Sequence, residues 1–266
     1  MSNLNGNNMK INLLRNRFII IDGTELKKIA LADRYLADQF HINTEKATET
    51  ERNKKPWRSD IINYILTNFK KETCYLEIGV RHPHQNFDLI LADKKYSVDP
   101  GYESEINNVD FKMTSDEFFI NLKQGQILSS DIKFDVIFID GSHLADQVQK
   151  DITNSLDFLS NDGFIVMHDC NPPTEFHASE NYQYRLSPAL DYWNGTTWKA
   201  FFEARKRKDI FSCCIDTDWG IGVISKKIKL GIPTDVENNF YEYYILDGNR
   251  KDSLNLISFE KFKTLV

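Results

Sequence analysis

From Ser59 onward the apolar positions Ile61, Ile62, Ile65, Leu66 and Phe69 fall at helical spacing. They are followed by a short run, CYLEIGV, read as a strand that ends at Gly79. A stripe recurring every three or four residues marks one face of a helix, whereas a short uninterrupted apolar run marks a strand covered on both sides. The alternation repeats. YSV ends at Asp99-Pro100, a weaker run covers Phe111 to Met113, FDVIFID ends at Asp140, and GFIVMHD ends at Asp169. Between the last two, Leu144, Val148, Ile152 and Leu156 recur every fourth residue and predict a helix. Strands alternating with helices predict an α/β fold, with βαβ units and a mostly parallel, doubly wound sheet.

The flanks read differently. Residues 1–10 are polar and are expected to be mobile. Phe18 to Ile21 predicts a short strand closed by Asp22-Gly23, and Glu25 to Phe40 a helix. The charged stretch 41–55 reads as a loop or flexible cap, so 1–55 is expected to be an N-terminal cap or lid and 56–266 the main domain. Residues 171–195 read as an irregular active-site insertion and Trp198 to Lys206 as a helix. FSCCI and WGIGVIS predict an antiparallel strand pair, and Ser253 to Leu265 a terminal helix.

Composition narrows the class. The chain has 266 residues, is 41% hydrophobic and carries a formal net charge of -6, which suits one substantial core and argues against a nucleic-acid or anionic-membrane surface. Cys74, Cys170, Cys213 and Cys214 form no CxxC pair and read as free thiols of a reducing compartment. The first ten residues lack a signal-peptide core and no apolar run approaches the length of a membrane span, so the cytoplasm is the expected location.

The candidate chemistry lies at the strand ends, where open α/β sheets bind ligands. Glu77-Ile78-Gly79 opens the first strand-to-helix turn, but Val80, Arg81, His82 and Pro83 follow, so a pyrophosphate-gripping GxGxxG is absent. A nicotinamide-dependent oxidoreductase is thereby disfavoured, and a ligand lacking phosphates fits better. Asp99, 22 residues after Glu77, is placed to accept the ribose hydroxyls of an adenosine. Ser115 and Asp116 begin a helix, where they could cap it, touch an adenine edge, or do both. Asp140 is followed three residues later by His143, and His168-Asp169 ends the neighbouring strand. Adjacent parallel strands would bring Asp140 and Asp169 into one coordination sphere suited to Mg²⁺ or Mn²⁺; the alternative is helix capping or backbone hydrogen bonding. His82, His84 and His177 read as surface or loop histidines, and Trp193, Trp198 and Trp219 as core or pocket wall. Asp218-Trp219-Gly220 reads equally as a pocket floor or a tight turn.

At YLEIGV, VDP, MTSDEFF, FDVIFIDGSH, GFIVMHDCNPPTE and DWGIGVI, from about Trp57 to Ile224, the chain resembles the class I S-adenosylmethionine-dependent methyltransferases. It is most similar to the branch called methyltransferase domain 24. The resemblance implies a Rossmann-like sheet of seven strands with the last one antiparallel. It implies S-adenosylmethionine as cofactor, held by Glu77, Gly79, Asp99, Ser115, Asp116 and Asp140, and a hydroxyl of a small molecule or sugar as acceptor. Some related sugar O-methyltransferases carry a divalent metal. By that analogy Asp140, His168 and Asp169 are metal ligands, and His143, beside Asp140, is the catalytic base. His168 stands where those relatives carry an acid, which leaves a metal-independent enzyme as an alternative. A non-catalytic cofactor-binding protein is a further one. Residues 1–55 and 171–195 are the expected places for a lid and for a contact in a homo-oligomer.

Overall fold

The computed structural model describes residues 9–13, 17–21, 23–104, 106–182 and 187–266; most of the polar N-terminal stretch lies outside them. Two antiparallel strands, β1 (Met9–Leu13) and β2 (Arg17–Ile21), are followed by helix α1 (Gly23–Leu36), which buries none of its side chains. The predicted helix to Phe40 breaks at Ala37. Asp38 then accepts a 2.8 Å hydrogen bond from the Phe40 amide and caps a second helix, α2 (Gln39–Arg52). Residues 41–55 are thus mostly helix rather than loop. The buried face of α2 is His41, Thr44, Thr48 and Glu51. Their spacing is helical but their chemistry is polar, so no apolar stripe betrays them.

The remainder is the predicted layered α/β fold. Helix α3 (Arg58–Thr67) leads into β3 (Cys74–Ile78) and β4 (Lys94–Val98), and α4 (Ser115–Lys123) into β5 (Phe134–Ile139). Then come α5 (Ala145–Phe158), β6 (Leu159–Met167), α6 (Thr197–Lys206), β7 (Phe211–Ile215) and β8 (Ile221–Ser225). The chain ends with α7 (Tyr243–Gly248), α8 (Arg250–Leu254), β9 (Leu256–Ile257) and α9 (Phe259–Lys263). The seven strands run in the order β4-β3-β5-β6-β8-β7-β9, and β8 alone opposes the rest. Phe111, in the weakest predicted strand, makes only a single bridge to Val98. The seventh strand is instead β9, which divides the predicted terminal helix where Asn255 turns left-handed at φ 47°.

Both sheet faces are sealed. Leu76, Ile78, Ile137, Ile139, Ile165 and Met167 point to α4, α5 and α6. Tyr75, Val136, Phe138, Val166 and Val223 point to α3 and α9. Each fully buried aliphatic or aromatic side chain stabilises the fold by roughly 1.5–3 kcal/mol. With both faces covered, only the strand ends remain open to a ligand. Among the described residues no helix is long and apolar enough to cross a membrane.

Candidate active site

The C-terminal ends of β3, β4, β5 and β6 open into one cleft of about 980 Å³. Glu77, Gly79, Asp99, Ser115, Asp116, Asp140, His143, His168 and Asp169 all line it. At Gly79 (φ 88°) the backbone passes so close to β5 that an added Cβ would lie 2.3 Å from the Asp140 carbonyl oxygen. Only glycine permits that approach.

On one side of the cleft, Glu77 is buried and accepts hydrogen bonds through Oε2 from the Tyr75 hydroxyl (2.6 Å) and Asn86 Nδ2 (2.9 Å). Burial pushes its carboxyl up to about 7, partly opposed by those two bonds. Asp99 accepts from the amides of Val80 (3.0 Å) and Gly101 (2.6 Å) and from Asn107 Nδ2 (2.8 Å), which fixes its orientation at the mouth of β4. Ser115 and Asp116 are not the helix cap. Thr114 caps α4 in a capping box with Glu117, leaving both side chains to accept from Gln147 Nε2 at 3.2 and 3.0 Å.

The other side is a knot of charges. The His143 imidazole lies between two carboxylates, with Nε2 3.3 Å from Asp140 Oδ1 and Nδ1 3.3 Å from Asp169 Oδ2. Nδ1 also faces the Trp193 carbonyl at 3.1 Å, and the ring stacks on Trp193. Burial alone would depress this imidazole; Asp169 and Asp140 override it and raise it to about 9. His168 Nδ1 lies 3.3 Å from Asp140 Oδ1 and 3.2 Å from Asp169 Oδ2. Burial would raise the Asp140 carboxyl, but the charge of His168 and hydrogen bonds from His143 and His168 hold it well below the usual carboxylate range. Asn194 donates to Asp169 Oδ1 at 2.7 Å. His143 and Asp169 both adopt left-handed backbone angles, φ 54° and 62°, uncommon for such residues and typical of functional sites.

Three groups here had no signal in the sequence. Arg58, the first residue of α3, reaches His168 and Asp218; Asn86 orients Glu77; Asn194 orients Asp169. Each is a single polar residue outside any strand-end pattern. Trp193 and Trp219 line the cleft, whereas Trp198 is core. His177 is fully buried rather than a surface residue.

The donor set fits a divalent cation. One ligand atom each from Asp140, His143 and Asp169 lie within 4.8 Å of one another, and two carboxylates with an imidazole are suitable ligands for Mn²⁺ or Mg²⁺. His168 touches the same two carboxylates, but its far nitrogen is engaged by Arg58 and Asp218.

The family described as methyltransferase domain matches residues 35–170, and the chain belongs to it: it is a class I S-adenosylmethionine-dependent methyltransferase. Among solved structures it is similar to an O-methyltransferase from Bacillus cereus in complex with S-adenosylhomocysteine (13% identity, 74% of this chain and 97% of that one, TM-score 0.41). A protein from Corynebacterium glutamicum is 10% identical over 76% of this chain and 98% of its own, with a TM-score of 0.39. MycE methyltransferase of the mycinamycin pathway, in complex with Mg and S-adenosylhomocysteine, is 13% identical over 79% of this chain and 54% of its own, with a TM-score of 0.34. No curated protein matches.

Proposed function

We propose that the chain transfers the methyl group of S-adenosylmethionine to a hydroxyl oxygen of a small molecule or sugar, with His143 as general base. The observation that carries this reading is the His143 imidazole, set between Asp140 and Asp169 in the cleft that Glu77 and Gly79 also line. A protonated hydroxyl is a poor nucleophile, and an acceptor of this kind needs a base within hydrogen-bond reach.

Bound S-adenosylmethionine supplies an already activated methyl group, so the protein's work is alignment and proton removal. Asp99 receives the ribose hydroxyls, and Ser115 and Asp116 lie along the adenine. Glu77 faces the cationic methionine end. His143, raised to about 9, must first lose a proton to the solvent to become a base; the neutral ring then takes the hydroxyl proton at Nε2 as the oxygen–methyl bond forms and the methyl–sulfur bond breaks, and Asp140 and Asp169 stabilise the resulting imidazolium. Asp140, His143 and Asp169 would hold a divalent ion, which when bound lowers the pKa of an acceptor hydroxyl. An imidazole that ligates through Nε2 cannot also accept a proton there, so the two roles compete for His143.

Residues 56–266 form the catalytic domain in this reading and 1–55 its cap. Support comes from α2, whose Thr48 hydroxyl meets His177 of the 171–195 insertion at 3.0 Å. That insertion brings Asp191, Tyr192, Trp193 and Asn194 to the cleft. Flat rings beside hydrogen-bonding groups suit a polyhydroxylated acceptor. The free cysteines agree with a reducing compartment such as the cytoplasm.

The test is incubation with S-adenosylmethionine and a panel of hydroxylated acceptors, read by mass spectrometry for the gain of one methyl. His143→Ala should lower turnover by about 10²–10⁴-fold while calorimetry shows near-native binding of S-adenosylhomocysteine. Full activity in that variant would remove His143 from the chemistry.

A further inference from the structure

Arg58 is a cation built into an acidic centre. Its backbone amide donates to Asp218 Oδ2 at 2.8 Å, and its Nη1 lies 3.3 Å from both Asp218 oxygens and 2.9 Å from His168 Nε2. The rest of the guanidinium leans toward the cleft, with Nε 4.0 Å from Asp140 Oδ2. That Nε is buried and has no hydrogen-bond partner. Asp140, Asp218, Asp169 and Glu77 all act electrostatically on Arg58.

His168 Nε2 meets both Arg58 Nη1 (2.9 Å) and Asp218 Oδ1 (3.3 Å), so that nitrogen is already engaged. Nδ1 faces Asp140 and Asp169.

We propose that Arg58 is the resident cation of this centre: it supplies the positive charge opposite Asp140 and Asp218 and makes the centre a weak site for divalent ions. The proposal rests on the reading of this cleft as the methyl-transfer site. Arg58 is a positioning residue, acting through Asp140 and Asp218. Replacing it with a neutral side chain removes a unit charge about 4 Å from a ligand oxygen, a separation at which Coulomb terms remain large in a partly buried setting.

The experiment is Mn²⁺ titration of the full chain by calorimetry and electron paramagnetic resonance, comparing the wild type with Arg58→Gln and Arg58→Lys. S-adenosylhomocysteine binding verifies that each variant is folded. The wild type should show no saturable Mn²⁺ binding below about 1 mM, and its methyl transfer should persist after chelation. Arg58→Gln should bind Mn²⁺ at least about tenfold more tightly, and Arg58→Lys, which keeps the charge, should stay near the wild type. Tight Mn²⁺ binding by the wild type overturns the proposal without reference to any variant. So does equal affinity in the wild type and a folded Arg58→Gln. The Mn²⁺ readout is independent of turnover. Absence of methyl transfer to every acceptor counts against the assigned function, whereas unchanged Mn²⁺ affinity counts against Arg58 alone.

Discussion

Glu77 is a carboxylate at the floor of a cleft that must receive a ligand carrying two positive charges, the sulfonium and the α-ammonium. Burial raises it to about 7, so below that pH the empty site holds a neutral acid, and binding a cation there must first expel a proton. Affinity for S-adenosylmethionine is therefore expected to rise with pH and to be about tenfold weaker at pH 6 than at pH 8. Glu77→Gln should flatten that dependence. Calorimetry across this range checks both, and an unchanged profile in the variant would detach the effect from Glu77. At this scale the sequence was legible wherever an acid or glycine closed an apolar run, as at Glu77, Gly79, Asp99, Asp140 and Asp169. It was silent on Arg58, Asn86 and Asn194, whose meaning comes from what lies across the cleft. Ser115 and Asp116 show the limit: only the hydrogen bonds reveal that Thr114 takes the capping role and leaves them turned toward Gln147.

At the scale of elements, helix α2 is bound to the active-site insertion through a polar contact. Thr48 Oγ1 donates to the Thr44 carbonyl at 2.8 Å, so it accepts from His177 Nε2 at 3.0 Å, and His177 Nδ1 in turn accepts from Thr174 Oγ1 at 2.8 Å. The His177 carbonyl then receives the amides of Asn194 (3.0 Å) and Gly195 (3.1 Å). Those residues lead directly to Asp169 and His143: Asn194 donates to Asp169, and the Thr196 amide donates to the His143 carbonyl at 2.7 Å. Thr48→Val leaves a buried N–H unpaired and is expected to cost about 1–3 kcal/mol. It should also raise amide exchange at Asn194 and Gly195 before the sheet is affected. Uniform exchange changes across the sheet, with none at these two amides, would contradict the linkage. Gly195 is more severe. Its φ is 60° and an added Cβ would lie 2.3 Å from the His143 carbonyl oxygen, so Gly195→Ala is expected to displace His143 and lower turnover more than it lowers cofactor affinity. None of this was legible in the sequence, because period-based reading counts apolar residues and the inner face of α2 is threonine, histidine and glutamate. The strands, whose code is apolar and continuous, were readable; Phe111 and β9, at sheet edges with few apolar positions, were not.

For the whole molecule, His177 makes stability depend on pH in a direction that can be isolated. The ring is fully buried, and burial lowers it to about 4 from an ordinary 6.5. Between those two values the unfolded chain binds a proton at this residue and the folded chain does not. The contribution is fully present above pH 6.5 and is lost as pH falls toward 4, about 3 kcal/mol in all. Glu77 acts in the opposite sense over much of the same range: its folded value of about 7 lies above the ordinary 4.5, so the folded chain gains relative stability as acid protonates it. Asp151, raised by burial to about 6, acts in the same sense as Glu77, so the wild-type slope mixes several groups and the variant is needed to isolate His177. His177→Gln retains an amide N–H for Thr48 and removes the titration. Urea unfolding at pH 6.5, 5 and 4 should show the variant losing less stability than the wild type on acidification. The difference between them should move steadily in the variant's favour over that range. A constant gap would mean that His177 takes up its proton as readily in the folded chain as in the unfolded one, so that burial does not hold the ring neutral.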